Sequence, residues 1–156
     1  MILGIDPGLN GALAWVTDDG HLIDVLDMPV VLFSNGKKKI SPQILVNEIG
    51  LRRTPRLTVL EEPSARPGQG VTSMFNFGYS CGLVAGVLAG LQYPVAFYRP
   101  AVWKRQAGVP ADKGAVRQQA QRFWPGSRAF DRVKDDGRAE AALLARWIAL
   151  KGETHA

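Results

Sequence analysis

The 156-residue chain has one cysteine, Cys81, and two histidines, His21 and His155. A lone thiol excludes a disulfide framework and points to a reducing compartment. His21 falls in a hairpin and His155 in the C-terminal tail, so neither a zinc spacing nor a His-based triad is available. Long apolar runs are also lacking. The longest, residues 81–91, is too short and too rich in glycine to span a bilayer, so no membrane partner is expected. Met1 leads directly into an apolar strand, so no export signal is expected either. No internal repeat, low-complexity tract or linker divides the chain. Its length and its 46% hydrophobic content predict one domain over residues 1–156 with a real core.

What is present is an uneven charge. The net charge is +5. Between residues 99 and 132 lie Arg99, Lys104, Arg105, Lys113, Arg117, Arg122, Arg128 and Arg132, opposed only by Asp112 and Asp131. Trp103, Phe123, Trp124 and Phe130 are interleaved with them. Basic residues among aromatics suit a polyanion surface, most often nucleic acid. The same pattern also describes solvated helix faces whose aromatics point into a core.

Residues 2–7, 11–17 and 21–28 read as three strands, the last two joined by the hairpin turn Asp18-Asp19-Gly20. The lysine-rich SNGKKK, residues 34–39, reads as a loop. Its Lys37, Lys38 and Lys39 either touch phosphate or form a solvated tip. Ser41-Pro42 opens a helix that runs to about residue 53. Strands at 57–60 and 94–98 flank a Gly/Pro loop, 64–70, and a long helix, 71–91. Helices follow at about 100–107, 112–124 and 137–151. This order predicts an α/β fold: a mixed five-stranded sheet with an antiparallel three-strand start, flanked by helices.

Three carboxylate placements conflict with burial. The opening ILGIDPG ends an apolar strand in Asp6, and VLEEP ends another in Glu61. Asp-Pro-Gly suits a plain β-turn, and it equally suits a metal ligand held on a rigid strand. If the two strands are neighbours, the carboxylates repel one another and each loses hydration, a conflict that a divalent cation removes. In DDGRAEAALLARW, Glu140 shares a helix stripe with Leu143, Leu144 and Trp147, and Asp136 lies at i−4 on that face. Asp135 and Asp136 have an ordinary role as helix caps, whereas Glu140 does not. Its plain alternative is a bond to Arg99, Arg138 or a backbone donor. Asp6, Glu61, Asp136 and Glu140 together form a hard oxygen set suited to Mg²⁺ or Mn²⁺, with two ions common in such clusters. No organic cofactor is called for.

In ILGIDPGLNGALA, VLEEP with FNFGYSCGLVAG, RPAVWKRQAGVPADKGAVRQQA and DDGRAEAALLA, taken in that order, the chain resembles RuvC-type Holliday-junction resolvases of the RNase H-like (retroviral integrase) superfamily, phage-encoded members above all. The resemblance implies a homodimeric, metal-dependent endonuclease that nicks four-way DNA junctions in symmetric pairs, in the cytoplasm of a bacterium or phage-infected host. Asp6, Glu61 and Glu140 match catalytic acids. The remaining acid often stands three residues before the last, where this chain has Gly137, so Asp136 is the expected substitute and Asp135 the runner-up. Lys104 and Lys113 match family lysines near the scissile strand. Two Mg²⁺ ions are expected to bridge the scissile phosphate, one activating water and the other stabilising the leaving oxygen, with Lys113 touching a non-bridging phosphate oxygen or the attacking water. Lys37, Lys38, Lys39, Lys104, Arg105, Lys113 and Arg117 are the expected DNA contacts.

The long helix carries Gly78, Gly82, Gly86 and Gly90 four apart, at a cost of about 1 kcal/mol each relative to alanine. Close backbone approach explains them, either against the chain's own sheet or at a dimer seam through Gly78, Gly82 and Gly86. Met74, Phe75 and Phe77 either pack in the core or wedge into a junction centre. Rival readings are an actin-like ATP-binding half, for which the chain is too short, a nuclease for other branched DNA or RNA–DNA hybrids, and a non-catalytic junction-binding module.

Overall fold

The structure is a computed structural model, and it describes residues 1–65 and 67–152. His155 therefore lies outside the described residues. Five strands form one sheet in the order β3-β2-β1-β6-β7: β1 (Ile2–Asp6), β2 (Ala12–Val16), β3 (Leu22–Asp27), β6 (Leu57–Glu61) and β7 (Val95–Tyr98). Strands β1, β2 and β3 run antiparallel, whereas β6 and β7 continue parallel to β1.

One reading of the sequence needs correction. The stretch read as a loop at 34–39 is the turn and returning strand of a hairpin, β4 (Val30–Leu32) with β5 (Lys38–Ile40). Its turn holds Asn35-Gly36, with Gly36 at φ 76°, and the Phe33 amide donates to the Lys37 carbonyl at 2.8 Å. Asn-Gly favours such a turn. The lysine run hid the strand, because this hairpin stands outside the main sheet and only its base, Val30 with Ile40, reaches the core, while Lys38 and Lys39 stay exposed.

Helices cover both faces of the sheet. Side chains alternate along a strand, so Leu3 and Ile5 of β1 pack with Leu45 and Ile49 of α1 (Pro42–Gly50) and with Val84 and Leu88 of α2 (Val71–Gly90). Ile2 turns to the opposite face, into a core shared with Leu144 and Ala145 of α5 (Asp136–Lys151), Trp103 of α3 (Pro100–Ala107) and Val116 of α4 (Lys113–Phe123). Local chemistry starts two of these helices. Ser41 Oγ accepts from the Ile44 amide at 3.3 Å ahead of Pro42, and Asp112 caps α4 by accepting from the Ala115 amide at 2.8 Å.

Helix α5 lies very close to β1. A Cβ added to Gly4 would stand 2.1 Å from the Ala141 carbonyl oxygen. Only glycine permits that approach, and it brings the start of α5 over the end of β1. Helix α2 is long and apolar enough to cross a membrane by length and composition; in this fold Ser80, Cys81, Val84 and Leu88 are buried.

Candidate active site

Strands β1 and β6 are direct neighbours, and their register pairs Ile5 with Leu60. The next residues, Asp6 and Glu61, therefore end adjacent strands side by side. Asp6 follows Ile2 and Gly4 on the α5 face. The turn behind it is also real: the Gly8 amide donates to Asp6 Oδ1 at 3.2 Å. The turn thus orients the carboxylate, so the two readings of Asp-Pro-Gly are compatible.

Helix α5 brings its acids to the same end. Asp6 is partly open at the surface but crowded on its other sides. Burial, then the charges of Glu61 and Glu140, push its carboxyl from 3.8 up to about 7 against the opposing effects of the Gly8 amide and Lys104. Glu61 is 8% exposed and accepts from the Trp103 indole Nε1 at 2.8 Å. Lys104 Nζ lies 2.8 Å from Glu140 Oε1 and 3.9 Å from Glu61 Oε1. Lys104 is thus the ion partner of Glu140, in place of the Arg99, Arg138 or backbone donor considered from sequence. Arg99 instead meets Glu62 at 3.2 Å, and Arg138 meets Asp27 at 2.6 Å.

Position 137, where the resemblance led to an expected acid, has no room for a side chain. A Cβ there would stand 2.5 Å from the Asn10 carbonyl oxygen and 3.1 Å from Asp6 Oδ2. No side chain fits at 137 while α5 sits this close to Asp6. Its neighbours then diverge. Asp136 pairs with Lys113 Nζ at 3.0 Å, and that contact raises the lysine's pKa. Asp135 is buried at 1% exposure; it accepts from the Arg132 amide at 2.8 Å and pairs with the Arg132 guanidinium at 2.7 Å. Arg132 and Arg138 also hold Asp27 at the end of β3, which keeps the Asp27 carboxyl below its usual range. Asp135 is therefore a structural anchor for the start of α5.

The donor chemistry fits a hard divalent cation: Asp6, Glu61, Asp136 and Glu140 offer only oxygen, and Asp6 resists ionisation without added positive charge. Among the described residues, no three acids, cysteines or histidines are drawn together as a ready-made cage. Lysines supply the positive charge here instead.

The remaining basic residues divide. Lys104 and Lys113 join the acids. Arg105 is exposed on the last turn of α3. Arg117 donates to the carbonyls of Phe130 and Asp131 at 3.3 and 3.4 Å, so it ties down a loop. Lys37, Lys38 and Lys39 lie on the hairpin, in a separate cleft that begins at Leu9. Cys81 is buried, with its thiol pushed up to about 12 chiefly by desolvation, as suits an inert packing residue. Sequence reasoning missed Trp103 as a partner of Glu61; its signal was an indole placed directly before a site lysine.

Gly78, Gly82, Gly86 and Gly90 have nothing within 4 Å of an added Cβ. This overturns the alternative that they pack on their own sheet. At 100° per residue they lie opposite the buried Ser80, Val84 and Leu88. Phe75 stands out at 71% exposure, whereas Met74 and Phe77 line a small pocket beside Pro63.

No family model and no curated protein matches the chain. A structure of Thermus thermophilus RuvC in complex with a Holliday junction substrate matches with TM-score 0.63 at 17% identity, over 94% of this chain and 90% of that one. A further Thermus thermophilus RuvC structure matches with TM-score 0.60 at 19% identity, over 94% of each chain. The chain therefore has the fold of RuvC, an RNase H-like α/β sheet, along nearly its whole length.

Proposed function

We propose that this chain is a divalent-metal-dependent endonuclease that resolves four-way DNA junctions by paired nicking. The observation that carries the reading is the convergence of Asp6, Glu61 and Glu140 at one sheet end, with Asp136 beside them, on a fold shared with a RuvC bound to a Holliday junction. A carboxyl such as Asp6, pushed up by burial and by the neighbouring charges of Glu61 and Glu140, costs stability and calls for a role beyond folding.

Asp6, Glu61, Asp136 and Glu140 would hold Mg²⁺ or Mn²⁺, two ions per site in the full proposal. Bound there, the metal supplies Lewis-acid activation of water and neutralisation of phosphate charge. The chain's own groups do the rest. Asp6, fixed by the Gly8 amide, must be ionised to act. Trp103 fixes Glu61 by its indole hydrogen bond. Lys104 balances Glu61 and Glu140, and exchanges that role for a phosphate contact when DNA arrives. Lys113, exposed at the first turn of α4, reaches a non-bridging phosphate oxygen. Arg105 and the hairpin lysines extend the phosphate track, and the C-terminal part of the exposed glycine face of α2, around Gly82, Gly86 and Gly90, joins two copies.

The test is cleavage of labelled four-way junction, fork, duplex and RNA–DNA hybrid with Mg²⁺, Mn²⁺ or EDTA. Symmetric, metal-dependent nicking of the junction is expected. Asp6→Asn should lower the rate by at least about 10³-fold while sparing junction binding. Equal cutting of forks would widen the substrate class, cutting of the hybrid alone would move it to RNA–DNA hybrids, and binding without cutting would leave a binding module.

A further inference from the structure

A second cleft lies between the β4–β5 hairpin and α2, with a volume of about 580 Å³. That is within the range of roughly 300–1,000 Å³ that holds a small organic group. Its walls carry Lys37, Lys38 and Lys39, and no carboxylate lines it among the described residues. Phe33 and Tyr79 enter it from opposite sides, 48% and 50% exposed. Lys39 Nζ lies 5.7 Å from the Phe33 ring centroid and 5.5 Å from that of Tyr79. Half-open aromatic rings on both walls of a cationic cleft cost hydration without gaining core packing.

We infer that this cleft takes an unpaired nucleobase between Phe33 and Tyr79, with its phosphates on the hairpin lysines. Any base stacks on an aromatic face, and lysines track the backbone, so the pair of features suits single-stranded DNA. Duplex DNA offers the lysines its phosphates but keeps its base faces stacked away from the rings. The lysines on the hairpin wall complement a polyanion, and the α2 wall opposite them is neutral. Its position connects it to the site, because Leu9, two residues beyond the Pro7 of the Asp6 turn, lines its near end. A strand leaving the carboxylates can continue into the cleft, where a base freed at a branch point would be held. Lys39 Nζ now lies over both rings, and its charge would move to the phosphate when the base enters.

This subsite rests on the reading of the chain as a branched-DNA nuclease, and the test separates the two. Affinity is measured for a deoxythymidine oligonucleotide of about 10 residues and for a duplex of the same length, over a salt series. Phe33→Leu and Tyr79→Leu should each weaken the oligonucleotide by about 5- to 50-fold, with the duplex changed by less than about twofold and the salt slope unchanged. Lys38→Gln should weaken both DNAs and flatten the slope. Equal losses on both DNAs, or no loss with Phe33→Leu, would overturn the subsite. So would a change of oligomeric state in Tyr79→Leu without loss of oligonucleotide affinity, which would assign the face to a second copy. Wild-type cleavage of the four-way junction with ring variants that bind like wild type would sink the cleft alone. Ring-dependent oligonucleotide binding without junction cleavage would sink the resolvase reading alone.

Discussion

At the scale of single residues, the site is a place where charge is held against its preference. Asp6 has its pKa raised, so the folded state binds a proton more tightly than the unfolded chain. The stability penalty is absent below pH 3.8, grows as pH rises from there to about 7, and is complete above that. Asp6→Asn should therefore stabilise the metal-free protein at pH 8, by about 1–3 kcal/mol, and the gain should shrink towards pH 4. Thermal melts in EDTA check this. Added Mg²⁺ should stabilise the wild type more than the variant. A variant less stable than wild type at pH 8 would mean that Asp6 is a satisfied structural acid.

The neighbours Asp135 and Asp136 make a sharper comparison. Asp135 holds Arg132 from a buried position, so Asp135→Asn should cost about 1–3 kcal/mol of stability and leave cleavage by the folded fraction intact. Among the described residues the ion partner of Asp136 is the exposed Lys113. Asp136→Asn should leave the melting temperature nearly unchanged and abolish cleavage. Urea melts and cleavage assays on the two variants decide between the acids, and a reversed pattern would exchange their roles.

At the scale of elements, the legible and the illegible divide by how local the cause is. Asp6 and Glu61 stood out because each ends a short apolar run, and the parallel pairing of β1 with β6 sets them side by side. Five strands in mixed order followed from alternating apolar runs and strong turn signals. The hairpin did not, because only Ile40 and Val30 at its base reach the core, which leaves no pattern imposed on Lys37, Lys38 and Lys39. The choice between Asp135 and Asp136 was also hidden. It depends on how closely α5 approaches β1, and that depends on Gly4 and Gly137, which have no contact signature in a sequence. The partner of Glu140 was equally hidden, since Lys104 lies 36 residues away on another helix.

At the scale of the whole molecule, one chain carries one carboxylate set, whereas a four-way junction needs two symmetric cuts. Under the proposed function a two-fold dimer would supply them, and we propose the outer face of α2 as the surface that builds it. Glycine in a helix costs about 1 kcal/mol relative to alanine, and four of them on an exposed face return nothing to an isolated chain. A second backbone approaching closely would recover that cost. Gly82→Gln is informative in both directions. Nothing within 4 Å opposes the new side chain in the single chain, so its fold should be kept or slightly stabilised. Between two closely packed helices the same side chain has no room, so sedimentation should find a monomer where the wild type is a dimer. That monomer should still nick the junction, but one strand at a time, with paired resolution lost. A variant that stays dimeric and still cuts in pairs would place the dimer seam on another surface and leave the glycine face without a role in assembly.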